Sequence, residues 1–148
     1  IGRIKMSYDK TATNVFNKYR SGLHNVGSYQ VSGVPFITGS STLGHNEEHK
    51  IEFPTVTKSI TVMKLGAASQ GKIYVHFNSK DTGNTISGKH FIELDSDEDS
   101  FDFQVKCKEI YISAPNDSNG DREYRLFASL TGIESGLMPT LTGPGVTE

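Results

Sequence analysis

Between residues 58 and 133 the chain alternates apolar and polar positions in short runs divided by turn residues, which is the period of half-buried β-strands. Ser59-Ile60-Thr61-Val62-Met63-Lys64-Leu65 is rich in branched side chains and stops at Gly66. Lys72-Ile73-Tyr74-Val75-His76-Phe77 alternates cleanly, so Ile73, Val75 and Phe77 are predicted on a core face with Tyr74 and His76 opposite. A third strand is predicted over Lys89 to Leu94. In Phe101-Asp102-Phe103-Gln104-Val105 strict period two predicts burial of Phe101, Phe103 and Val105. Glu109 to Ile112 and Tyr124 to Leu130 follow, and the Asn119-Gly120 pair between them predicts a hairpin turn. Short strands at this spacing, without βαβ alternation, predict an all-β domain: an antiparallel β-sandwich or jelly-roll-like fold with its core in residues 51–133.

The flanks read differently. Gly22, Gly27, Gly33, Gly39 and Gly44 interrupt the first third and predict an extended N-terminal arm over residues 1–50, with brief strand-like pieces at Ser28 to Val31 and Val34 to Ile37. A short helix capped by Asp9, with Ala12, Val15, Phe16 and Tyr19 on one stripe, competes there with the poor helix formers Thr11, Thr13 and Asn14. Residues 134–148, punctuated by Gly136, Pro139, Gly143 and Pro144, are predicted to form an extended C-terminal tail. Apolar Leu137, Met138 and Leu141 within it have two readings, docking on a neighbouring subunit or packing on the parent domain.

Composition narrows the function classes. A chain of 148 residues suits one domain, and the single cysteine, Cys107, allows no internal disulfide. A formal net charge of -2 with 15 scattered Lys and Arg argues against a grip on a nucleic-acid backbone. No apolar run reaches the length of about 18 residues that a membrane helix needs, and no basic start leads into an apolar stretch as in a signal peptide, so a soluble protein is expected. Only 34% of residues are hydrophobic and 15 are glycine, which fits many turns and a broad polar surface.

Candidate chemistry is thin. His45-Asn46-Glu47-Glu48-His49 matches the H-x-x-E-H pattern of inverted zinc peptidases, whose histidines must lie one helical turn apart to share a metal. Gly44 and Pro54 bracket it, however, and a strand would put His45, Glu47 and His49 on one side and Glu48 on the other. A zinc hydrolase on His45, Glu48 and His49 therefore stands as a remote alternative. Asp95, Asp97 and Asp99 resemble the start of a calcium loop, but Ser100 stands where its glycine belongs and Lys106 where its bidentate glutamate should be. Cys107 between Lys106 and Lys108 could be an activated thiol with His76 or His90 as base, against the plainer reading of a small half-buried strand residue. Neither a G-x-S-x-G elbow nor a phosphate-binding G-x-x-x-x-G-K-[ST] loop is present. No enzyme, cofactor or metal site is expected.

Three stretches carry a resemblance: Asn25-Val26-Gly27-Ser28-Tyr29-Gln30-Val31-Ser32-Gly33-Val34-Pro35-Phe36, Lys106-Cys107-Lys108-Glu109-Ile110-Tyr111-Ile112 and Ala128-Ser129-Leu130-Thr131-Gly132-Ile133. In style, over most of its length, the chain resembles small virion proteins of tailed bacteriophages, particularly marine ones. The resemblance implies a β-sandwich structural subunit of the virion, assembled in the host cytoplasm. It would be a capsid decoration or cement protein, with a tail or neck component as the alternative. Its implied partners are the major capsid protein or other virion subunits, with homo-oligomer formation and no nucleic-acid or membrane partner. No functional residues carry over, because such proteins act through extended surfaces. The flanks supply the candidate assembly contacts Tyr29, Val34, Phe36, Leu137, Met138 and Leu141. A carbohydrate-binding or host-attachment module, using Tyr74, Tyr111 or the loops around Asp81 and Asn116, is the competing class.

Overall fold

A computed structural model describes residues 33–66, 70–117 and 119–148 of the chain. In these residues the strands are β1 (Val34–Leu43), β2 (Glu48–Glu52), β3 (Thr55–Leu65), β4 (Ile73–His76), β5 (Ile92–Leu94), β6 (Ser100–Phe103), β7 (Glu109–Ser113) and β8 (Arg122–Glu134), followed by a 3-10 turn at Ser135–Leu137. They form two four-stranded antiparallel sheets, sheet I in the order β1-β8-β3-β6 and sheet II in the order β2-β7-β4-β5. First pairs with last, second with seventh, third with sixth and fourth with fifth. The chain is thus one ribbon folded back on itself at β4–β5 and rolled so that all other successive strands fall in opposite sheets, which is the eight-stranded jelly roll. The predicted all-β sandwich is the observed architecture.

The core follows from alternation. Val56, Ile60 and Val62 of β3 and Leu126 and Ala128 of β8 point inward from sheet I and are almost wholly buried. Ile73 and Val75 of β4 and Ile110 and Ile112 of β7 answer them from sheet II. A satellite cluster of Val56, Ile133 and Met138 closes one end, with Leu141 packed against both clusters. At the other end two cations are enclosed. Arg122 forks onto the Asp117 carboxylate at 2.5 and 2.6 Å and donates to the Gly120 carbonyl at 3.1 Å, which offsets part of the cost of burying its charge. Lys64 donates to the Gly66 carbonyl at 2.9 Å, and burial pulls its ammonium pKa below the ordinary value.

Several sequence expectations change. The stretch assigned to an arm over 1–50 already contains β1 and β2, so Val34 and Phe36 belong to a sheet strand. Of the glycines read as breakers, Gly39 is a packing position. A Cβ on Gly39 would lie 2.6 Å from the Tyr124 carbonyl oxygen and 2.7 Å from the Arg125 side chain, so only glycine lets β1 lie this close to β8. The strand predicted from Lys89 shrinks to Ile92–Leu94, because residues 85–90 form a turn. Phe101, predicted buried, is 43% exposed: it sits on the inner row beside Val62, but on edge strand β6, opposite a β5 of only three residues. Phe103 is buried as predicted and Val105 is partly so. The hairpin predicted at Asn119-Gly120 does not form, since β7 lies in sheet II and β8 in sheet I. Tyr29, the Ser28 to Val31 piece and the short helix after Asp9 lie outside the described residues.

Of the tail's two readings, packing on the parent domain holds for Met138, buried with Val56 and Ile133, and for Leu141, whereas Leu137 is 54% exposed. Met138→Ala should therefore cost about 2 kcal/mol of folding stability in equilibrium urea denaturation, at the low end for core truncations because the cluster is small. Leu137→Ala should stay within about 0.5 kcal/mol of the parent chain.

Candidate functional site

The two sheets treat their outer faces differently. On sheet I the register aligns Ile37, Phe127, Thr61 and Asp102 in one outward row across all four strands, and Gly39, Arg125, Met63 and Ser100 in the next. Ile37 is 71% exposed and Phe127 43%, with half-buried Met63 beside them. Around this apolar centre lie the Thr61–Asp102 hydrogen bond and an Arg125–Glu123 ion pair at 2.8 Å. The face thus has an apolar middle and a polar rim, the composition of a protein-docking patch. β1 pairs with β8 on one side, and among the described residues no strand pairs with its other edge. Pro35 leaves one position of that free edge without an N–H.

Sheet II is covered by its own chain. His76, Tyr111 and Ser113 point away from the sandwich core yet are buried, and the loop over residues 77–91 is hydrogen-bonded to His76 and to the C-terminal segment on this face. His76 has both ring nitrogens engaged: Nδ1 lies 2.6 Å from the Asn78 carbonyl oxygen and Nε2 2.7 Å from the Ser113 hydroxyl. A carbonyl only accepts, so Nδ1 carries a proton, and burial, which lowers the ring's pKa, favours the neutral form in which Nε2 accepts from the Ser113 hydroxyl. The Tyr111 ring stacks parallel to it at 6.1 Å. Asn78 Nδ2 donates to the Leu141 carbonyl at 2.7 Å, and the Asn84 amide donates to the Thr147 carbonyl at 2.8 Å, which ties the tail over this face. Glu48 accepts from the Ser79 hydroxyl at 3.1 Å and the Lys80 amide at 2.6 Å.

The sequence-level chemistry disperses in this frame. His45 is exposed in the turn before β2, Glu48 binds the 77–91 loop from the outer face, and His49 points inward with Nδ1 3.0 Å from the Tyr124 hydroxyl of the opposite sheet. The three do not converge. Asp99 accepts from the backbone amides of Asp95 and Ser96, and Asp97 from Gly66, so those carboxylates hold a turn. Cys107, read from the sequence as a half-buried strand residue, is fully buried in the loop between β6 and β7. Burial pushes its thiol up to about 11, away from nucleophile chemistry. Tyr111 is almost wholly buried, and Tyr74 is stacked on Phe91 at 4.0 Å, so neither presents the open ring face expected for a sugar.

Among the predicted assembly contacts, Val34 is exposed at the start of β1, and Phe36 is turned inward, edge-on to Phe53 at 5.4 Å. Leu137 is open, Met138 and Leu141 are packed, and Tyr29 is outside the described residues. Sequence reasoning missed Ile37 and Phe127. Phe127 was legible as a large apolar residue between Leu126 and Ala128, out of phase with the buried set, but that Ile37 lies beside it depends on the pairing of the first and last strands.

His76 generates a pH prediction. Burial lowers its pKa from the ordinary 6.5, so below that pH the unfolded chain takes up a proton that the native ring resists. Stability should fall as pH drops from 7 towards 5, by at most about 1.4 kcal/mol per pH unit from this residue. In His76→Gln the fall should be shallower, as read from urea midpoints across the series. No family model, curated protein or solved structure matches the chain.

Proposed function

We propose that the chain is a structural subunit that works by protein–protein assembly, set in the virion of a tailed bacteriophage as a capsid decoration or cement protein. The observation that carries the reading is the outer face of sheet I, where Ile37 and Phe127 stand exposed side by side within a polar rim. Jelly rolls serve viral capsids, lectins and cupins. A cupin-like site needs metal ligands inside the roll, and here that space holds Ile60, Val62, Ile73, Val75, Ile110 and Leu126. A lectin-like role on Tyr74 or Tyr111 is disfavoured by the burial and stacking of those rings. What remains among the described residues is a scaffold with an apolar outer face on sheet I and an edge at β1 that no described strand pairs, suited to a neighbouring copy or to the major capsid protein. A tail or neck subunit would use the same face.

The test is the double variant Ile37→Asp, Phe127→Asp. The parent chain should show concentration-dependent association in sedimentation velocity and should co-sediment with tailed-phage capsids. The variant should keep its far-ultraviolet circular dichroism and lose at least about tenfold in association, the effect of removing a central apolar anchor. A parent chain that neither self-associates nor pellets with capsids would overturn the reading.

A further inference from the structure

The sandwich is incompletely closed along its β5–β6 side. The two edge strands are joined by the acidic turn at residues 95–99, but β5 spans only three residues, and beyond Ile92 the sheets leave a cleft of about 380 Å³. Its walls are apolar and mostly aromatic: Phe77, Ile92, Phe101 and Phe103. Phe77 and Phe103 meet edge to face at 5.6 Å, Phe101 leans on Phe103 at 4.8 Å, and Phe101 remains 43% exposed. The polar side chains lining the cleft are Lys89 and His90.

Lys89 is placed there against backbone preference. Residues 85–90 form a helical turn closed by hydrogen bonds from the His90 amide to the Thr85 carbonyl and from the Lys89 amide to the Ile86 carbonyl, both at 2.9 Å. This is a Schellman closure, and it forces its penultimate residue into the left-handed region, where glycine is favoured. Lys89 occupies that position with a φ of 60°. A side chain held in a strained backbone state at the mouth of a cleft is the pattern of a functional position. Its ammonium is exposed and has no ion-pair partner among the described residues.

The volume, the aromatic lining and the small number of polar side chains are those of a small-molecule site. A neutral sugar would need acceptors for its hydroxyl protons, and the cleft has no carboxylate or amide side chain in its lining. We propose that this cleft binds a small apolar anion, a carboxylate on an aromatic or short alkyl body, with the body against Phe77, Phe101 and Phe103 and the carboxylate on Lys89. The site is on the opposite edge of sheet I from β1 and does not depend on the assembly reading.

The probe is 4-phenylbutyrate, titrated into the full-length chain and followed by two-dimensional amide NMR, with neutral 4-phenylbutanamide as the control. Saturable shifts should concentrate at residues 75–77, 89–92 and 101–103, and the amide should bind at least about tenfold more weakly. Lys89→Gly is the decisive variant. It relieves the strained backbone, so its melting temperature should hold or rise while its affinity for the carboxylate drops about tenfold. Phe101→Ala, at an exposed position, should weaken both compounds. Equal binding of the two compounds, unchanged affinity in Lys89→Gly, or shifts spread over the surface without saturation would each overturn the proposal.

Discussion

The contact on which the structure depends is the one between Ile60, Val62, Leu126 and Ala128 of one sheet and Ile73, Val75, Ile110 and Ile112 of the other. β4 and β5 are the only consecutive strands among those described that share a sheet, so local hairpins cannot hold the chain together. Burial between the layers must do so, and every pairing except β4–β5 closes over a long stretch of sequence. High contact order of this kind belongs to slow-folding, cooperative β-architectures.

Because the inner faces carry the stability, the outer faces are free to diverge. Sheet II has drawn its own chain over itself, with His76, Ser113 and Asn78 forming a satisfied polar layer under the 77–91 loop and the tail. Every buried polar atom in that layer that lacked a partner would cost free energy, so this face is closed both sterically and energetically. Sheet I has nothing comparable among the described residues, and its Ile37 and Phe127 stay in solvent. The same logic separates the β5–β6 cleft from the rest of the rim. The shortness of β5 leaves aromatic surface uncovered, and the turn at residues 85–90 sets a cation beside it.

The proposed function is one of surfaces. Three of the groups that looked reactive in one dimension are occupied structurally: His49 ties the sheets together through Tyr124, Glu48 anchors a loop, and Cys107 is enclosed beside Thr57. Short motifs match by chance because they specify spacing along the chain, whereas chemistry needs convergence in space.

Period-two alternation in β3, β4 and β8 was enough to establish the all-β class and most of the core, because a side chain's face in a strand depends only on its parity. The same rule placed His76 outward, and alternation alone could not reveal that it would be buried there. The sequence also marked Gly66 as a strand end, and its φ of 88° is the reason. Only the tertiary structure decided that Gly39 is a close-approach position within a strand, that Asn119-Gly120 crosses between sheets, and that Met138 belongs to the core. It alone set Ile37 beside Phe127 and Lys89 beside Phe101, since which strands become neighbours, and where an edge stops short, follows from packing two twisted layers whose partners lie far apart along the chain.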